Sequence, residues 1–208
     1  MRFTDRDQAA QALAEALVGV AVERPLVLGL PRGGVPMASI IAARLGCDFD
    51  VILVRKLRTP GYPELAMGAV DESGHVYADP NMEPVASDRY QAEVAYQMAE
   101  IRRRRHLYSA TRPSLSAEGH TAIIVDDGIA TGATMMAAIR AIRAQRPLRI
   151  VVAVPVAARD ALDLARSLAD EVLCLYCPRV FFAVGEFYDD FSAVSDSTVV
   201  NLLNSRTR

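Results

Sequence analysis

Residues 123–134, IIVDDGIATGAT, place two adjacent carboxylates, Asp126 and Asp127, after a short apolar run and before a turn of small residues. The apolar run IIV suits a buried strand, and the turn leads into a helical pattern. In an open α/β sheet, ligands sit beyond the carboxyl ends of strands. There the first turn of the next helix offers unpaired N–H groups and a partial positive charge. Gly128, Gly132 and Ala133 keep side chains away from a phosphate, while Thr131 and Thr134 add hydroxyl donors. Two acids beside a phosphate repel it, so they must face another part of the ligand. The vicinal hydroxyls of a ribose fit that need, because a carboxylate accepts from both. A plain strand–turn–helix with an acidic N-cap shares part of the pattern. The full run of D-D, three residues, T-G, one residue, T is far more specific than a lone glycine motif.

Other residues could add chemistry. The turn PRGG (31–34) puts Arg32, Gly33 and Gly34 after the apolar run LVLGL, where backbone could approach an anion closely. LVRKLRTPG (53–61) carries Arg55 and Lys56. The tail FFAVGEFYDDF (181–191) holds four of the six phenylalanines. Phe181 or Phe182 could stack on a base as a hood, or the aromatic group could simply be core. Four arginines, residues 102–105, spread around a helix rather than forming one patch, and Glu100 can pair with Arg104. Cys174 and Cys177 form a C-x-x-C pair, which reads as two small apolar residues on opposite faces of a strand. His75, His106 and His120 are scattered and read as surface or structural.

Several elements must position these groups. Thr4, with Asp7 three residues on, can cap a first helix ended near Gly19. LVLGL (26–30), DVILVRK (50–56), TAIIVDD (121–127), RIVVAVPV (149–156) and EVLCLY (171–176) read as strands. Helices are expected over 35–45, 87–109, 133–145 and 158–168, with Ser87 or Asp88 capping the second. Residues 57–65, with two prolines and a glycine, read as a mobile loop, and residues 66–79 as a hairpin turning at DESG. Alternating strands and helices imply right-handed crossovers and an open, mainly parallel sheet flanked by helices. The whole chain, 1–208, reads as one α/β domain. It carries a loop, hairpin and long-helix insertion over 57–120 and a C-terminal hood over 178–208.

Residues 123–134 resemble the ribose-phosphate signature of type I phosphoribosyltransferases, and GLPRGG (29–34) and LVRKLRTPG (53–61) agree in order and placement. The resemblance spans roughly residues 25–156. It implies binding of 5-phosphoribosyl 1-diphosphate, with Asp126 and Asp127 on the ribose hydroxyls. Gly128, Ile129, Ala130, Thr131, Gly132, Ala133 and Thr134 would then surround the 5′-phosphate. It implies Mg²⁺, held by Asp126 and Asp127 through water and donor, and diphosphate contacts from Arg32, Gly33, Gly34, Arg55 and Lys56. It also implies a cis peptide in the PRGG turn, for which Arg32–Gly33 is the candidate. Ala130 stands where 6-oxopurine enzymes carry an acid, so the acceptor pattern is closer to the adenine type.

Bulk properties narrow the rest. A net charge of −2 promises no general attraction to nucleic acid or anionic membrane. With 51% hydrophobic residues and no apolar run of spanning length, the chain reads as globular and cytoplasmic. A homodimer is compatible with it. A non-catalytic sensor of the same fold is the main alternative. A repressor would need more than the one helix expected in residues 1–24, and a diphosphokinase would need a second such domain. An amidotransferase-linked form would need a cysteine where Arg2 stands, and no zinc ribbon or G-x-G-x-x-G is present.

Overall fold

The computed structural model describes residues 1–20, 23–59, 61–78, 87–108 and 114–205. The elements are α1 (Arg6–Val18), β1 (Pro25–Gly29), α2 (Gly34–Leu45), β2 (Asp48–Val51), β3 (Val54–Thr59), β4 (Tyr62–Asp71) and β5 (Val76–Ala78). There follow α3 (Ser87–Tyr108), β6 (Thr121–Val125), α4 (Ala133–Ala144), β7 (Arg149–Val156), α5 (Arg159–Leu168), β8 (Glu171–Tyr176) and α6 (Asp196–Ser205). A 3₁₀ turn, Val184–Phe187, precedes α6.

The main sheet has the order β2-β1-β6-β7-β8, with every neighbouring pair parallel. All of β6 is buried, as is β7 from Ile150 to Val156, because helices cover both faces. The two covering layers are chemically separate cores. Val27, Ile123, Val125 and Val151 face α1, α2 and α6, whereas Leu28, Ile124 and Val152 face α4 and α5. From β1 the chain leaves to α2 on one face, and from adjacent β6 to α4 on the other. The two connections therefore part at the carboxyl ends of β1 and β6, which makes a crevice at the switch point. Residues 31–34 and 126–132 line that place. No described helix is long and apolar enough to cross a membrane.

Several expectations are corrected. The apolar run 50–56 is two strands, not one: β2 joins the parallel sheet, while β3 starts a second, antiparallel sheet of order β3-β4-β5. Residues 57–65 are not a plain loop, since β3 runs to Thr59 and β4 begins at Tyr62, with register shifts around Arg58; Pro60 lies outside the described residues. Asp5, not Thr4, caps α1, its carboxylate accepting from Gln8 N at 2.8 Å. Cys174 and Cys177 do not diverge to opposite faces; β8 ends at Tyr176, and both pack against the α4–α5 core. The side chain of Ser87, offered as a cap, lies outside what is described.

Two glycines hold the crevice together. A Cβ on Gly34 would lie 2.4 Å from Val125 O, and one on Gly33 would lie 1.9 Å from Asp127 Oδ2. Leu30 N donates to Val125 O at 2.9 Å, fixing the turn against the end of β6. Gly34→Ala forces backbone apart and should lower stability by about 2 kcal/mol, roughly 4–8 °C in Tm for a chain of this size. Gly19→Ala, with its nearest neighbour at 3.6 Å, should leave Tm unchanged or slightly higher. Thermal unfolding followed by circular dichroism checks both; equal Tm values for the two variants would mean the turn is free to move off β6.

Candidate functional site

The end of β6 delivers Asp126 and Asp127 into the crevice, both partly buried. Asp127 is the better anchored. Arg6, from the first turn of α1, donates to Asp127 Oδ2 from Nε at 2.9 Å and lies 2.8 Å from it through Nη2. The two side chains are only 13% and 15% exposed. Arg6 Nη1 donates to Ser192 O at 2.8 Å, and its guanidinium lies 3.9 Å from the centroid of the Phe191 ring. The Tyr188 hydroxyl donates to Asp127 O at 2.7 Å. The segment after β8 thus closes around the acid pair together with the start of the chain. Phe3 N donates to Phe187 O, and Asp189 N to Phe3 O, at 2.8 Å each.

The two acids have different electrostatics. Burial pushes the Asp126 carboxyl well above its ordinary range, and the charge of Asp127 pushes it further; the Asp127 amide, donating to Asp126 Oδ1 at 2.9 Å, offsets part of this. Burial also raises Asp127, but Arg6 opposes the shift by charge and hydrogen bond.

The turn that follows has the geometry of an anion cradle. Ile129 N is spent on Val156 O at 3.0 Å, and Ala158 N on Ile129 O at 2.9 Å, which staple the turn to the end of β7. Gly132 has φ +83°, a left-handed conformation that suits glycine and aims the chain into α4. The amides of Ala130, Thr131, Ala133 and Thr134 have no backbone partner among the described residues. They border a cavity of about 190 Å³ lined by Asp126, residues 128–135 and Val184. A larger cavity, about 400 Å³, is bounded by Ile52, Glu72, Arg105 and Gln145 and contains none of these groups.

Of the other sequence-expected residues, Gly33 and Gly34 lie against the acids, a Cβ on Gly33 standing 1.9 Å from Asp127 Oδ2 and one on Gly34 3.1 Å from Asp126 Cα. The cis peptide lies at Pro31–Arg32, one bond earlier than the expected Arg32–Gly33. The Arg32 side chain reaches out of the turn, with Nη1 4.0 Å from Asp196 Oδ1. Arg55 and Lys56 stand on β3, in the second sheet. Arg55 Nε donates to Gln97 Oε1 at 2.9 Å, and no ion pair joins either residue to the acids among the described residues. Phe181 stacks on Phe187 with centroids 5.3 Å apart, while Phe182 is 80% exposed. It is Val184 that reaches the turn, within 3 Å of where a Gly128 Cβ would stand.

A phosphoribosyl transferase domain profile matches residues 4–192. The chain belongs to the phosphoribosyl transferase family. A Mycobacterium tuberculosis protein provisionally named a phosphoribosyl transferase, found in two strains, is 40% identical over 212 residues. The match covers 99% of this chain but 47% of that protein, so the chain spans about half the length of the curated relatives it matches. The crystal structure of TT1426 from Thermus thermophilus is 44% identical, with a TM-score of 0.88 and 99% of each chain covered.

Within this phosphoribosyl transferase domain, Arg6, Tyr188 and Val184 are the site residues that sequence reasoning missed. Arg6 lies 121 positions from its partner, and nothing local distinguishes an arginine in a first helical turn. The capped start of α1, which fixes where that turn points, was the one available signal.

The raised Asp126 has a measurable consequence in the ligand-free protein. The fold holds this proton more tightly than the unfolded chain does. The stability that Asp126 contributes is therefore fullest below the unfolded carboxyl value, about 3.9, and declines as pH rises from there through the folded value. Asp126→Asn removes that penalty. The variant should have a higher Tm than the parent at pH 7, with the gap closing as pH falls toward about 4. A parallel offset at all pH values would show that Asp126 does not carry the penalty.

Proposed function

We propose that this chain transfers the 5-phosphoribosyl group of 5-phosphoribosyl 1-diphosphate to a nitrogenous base and releases diphosphate. The observation that carries the reading is the adjacency of two unlike subsites at the switch point. An acid pair able to accept from vicinal hydroxyls stands beside a turn whose amides are free to bind a phosphate. One ligand with a ribose next to a 5′-phosphate occupies both without placing its anion on the carboxylates.

Cleavage of the ribose C1–oxygen bond leaves positive charge on the sugar and sends the electron pair to the departing diphosphate oxygen. Catalysis is then a matter of holding the two ends and matching their charge. Asp126 and Asp127 orient the ribose ring through its hydroxyls and add negative charge on the sugar side. The amides of Ala130, Thr131, Ala133 and Thr134, with the Thr131 and Thr134 hydroxyls, hold the 5′-phosphate. Gly33 and Gly34 let the PRGG backbone approach the diphosphate, and Arg32, partly exposed in that turn, supplies a cation to it. Arg55 and Lys56 would add charge from β3.

The donor set also fits Mg²⁺. Among the described residues no three His, Cys, Asp or Glu side chains converge, so a metal here would be held by Asp126 and Asp127 together with water and the donor's own oxygens. When bound, Mg²⁺ supplies charge neutralisation for the leaving diphosphate. Phe182, exposed where Phe181 is packed, is the aromatic residue left available for an acceptor base.

The direct test is incubation with the donor, Mg²⁺ and a panel of bases, with nucleotide and diphosphate detected by mass. Donor binding without turnover on any base would favour a ligand sensor of the same fold. In calorimetry with Mg²⁺, Asp126→Asn combined with Asp127→Asn should abolish donor binding in a folded protein; retained affinity would remove the central assignment. Phe182→Ala should weaken the acceptor by roughly ten- to a hundredfold, about 1–3 kcal/mol of lost stacking, and spare the donor. Unchanged acceptor affinity would exclude the hood role of Phe182.

A further inference from the structure

We propose that Arg6 is a positioning residue for ribose recognition, a role that rests on the donor-binding reading of Asp126 and Asp127. Nε and Nη2 of Arg6 both engage the same oxygen, Asp127 Oδ2. That oxygen also faces the PRGG turn, since a Cβ on Gly33 would collide with it at 1.9 Å. Asp127 Oδ1 is therefore the oxygen left to meet a hydroxyl, and Arg6 decides which way it points. The guanidinium has little freedom of its own: its third nitrogen donates to Ser192 O, and the Phe191 ring covers its face. Ser192 in turn follows a segment pinned to residues 3 and 4 by Phe3 N to Phe187 O, Asp189 N to Phe3 O and Asp190 N to Thr4 O. The aromatic tail at Phe191 thus serves the ribose end of the site, through Arg6, rather than the base.

The consequence is specific to a hydroxyl. If Arg6 only tied the chain ends together, its loss would affect all ligands alike. The test is calorimetric binding of ribose 5-phosphate, 2-deoxyribose 5-phosphate and 3-deoxyribose 5-phosphate, with Mg²⁺, to the intact protein and to Arg6→Met. The parent should prefer the full ribose to both deoxy sugars. Arg6→Met should lose about tenfold of that preference against one deoxy sugar, the range expected for a hydrogen bond to a charged group. Its affinity for that deoxy sugar should not change. Phe191→Leu, which removes the covering ring and keeps an apolar side chain, should shift the same ratio in the same direction by less. It serves if Arg6→Met fails to fold. Equal losses for all three sugars, or an unchanged ratio in both variants, would overturn the role of Arg6. Failure of the parent to bind any of the three would instead sink the phosphoribosyl reading itself.

Discussion

Asp127 is a carboxylate held at the end of a buried strand, next to a second carboxylate, under a turn that leaves no room for a Cβ. Much of the molecule is arranged around that constraint. Two adjacent acids in a partly desolvated crevice repel each other, and removing either from water is unfavourable. A short-range pair with Arg6 offsets this for Asp127, and the amide between the acids offsets it for Asp126. To deliver Arg6, α1 must start where it does, which Asp5 ensures by capping it. To keep Arg6 shielded, residues 187–192 must fold back across the start of the chain. Tyr188 anchors that return by donating to Asp127 O, so the brace and the group it braces share one residue.

How far this was legible in the sequence depended on the range of the forces. The strands Thr121–Val125 and Arg149–Val156 were legible because burial on both faces writes itself as a continuous apolar run, and the partly buried edge strand Glu171–Tyr176 keeps enough of that run to be read. The D-D turn and PRGG were legible because close packing of two turns at adjacent strand ends leaves room only for small residues at fixed spacing. Residues 50–56 misled for a matching reason: an apolar run reports burial but not which sheet is joined, and Ile52 and Leu53 are buried while lying in neither strand. The Pro and Gly of 57–65 signalled a loop, yet pairing with β4 overrides that local preference at an irregular, shifted register. The helix Asp196–Ser205 has only Val199 and Leu203 buried, too sparse a stripe to stand out. Arg6 left no trace, because its role is a contact between residues far apart in sequence.

The C-terminal segment shows how composition can be silent about a role. Of the four phenylalanines near the end of the chain, Phe191 reaches the acid pair through Arg6, and the others have different surroundings. Phe187 is buried and stacked with Phe181, Phe191 lies under Arg6, and Phe182 faces solvent. The residue that touches the turn is aliphatic, Val184. A hydrophobic count could not separate these, because stacking in a core, covering a cation and waiting for a base use the same side chain.

The acid pair also explains why the crevice is built from backbone and not from side chains. A cationic side chain paired with both Asp126 and Asp127 would occupy the oxygens that, on the proposed reading, a ribose and its metal need. Arg6 avoids this by binding one oxygen of Asp127 only. On the proposed reading the phosphate end is then served by groups that carry no full charge near the acids, which amides at a helix start provide. Glycine at 33, 34 and 128 stands where a Cβ would collide with Asp127, the end of β6 and Val184, and Gly132 has a left-handed backbone. The stability that larger residues could have added there is forgone, and the β6 and β7 core behind the crevice carries the fold instead.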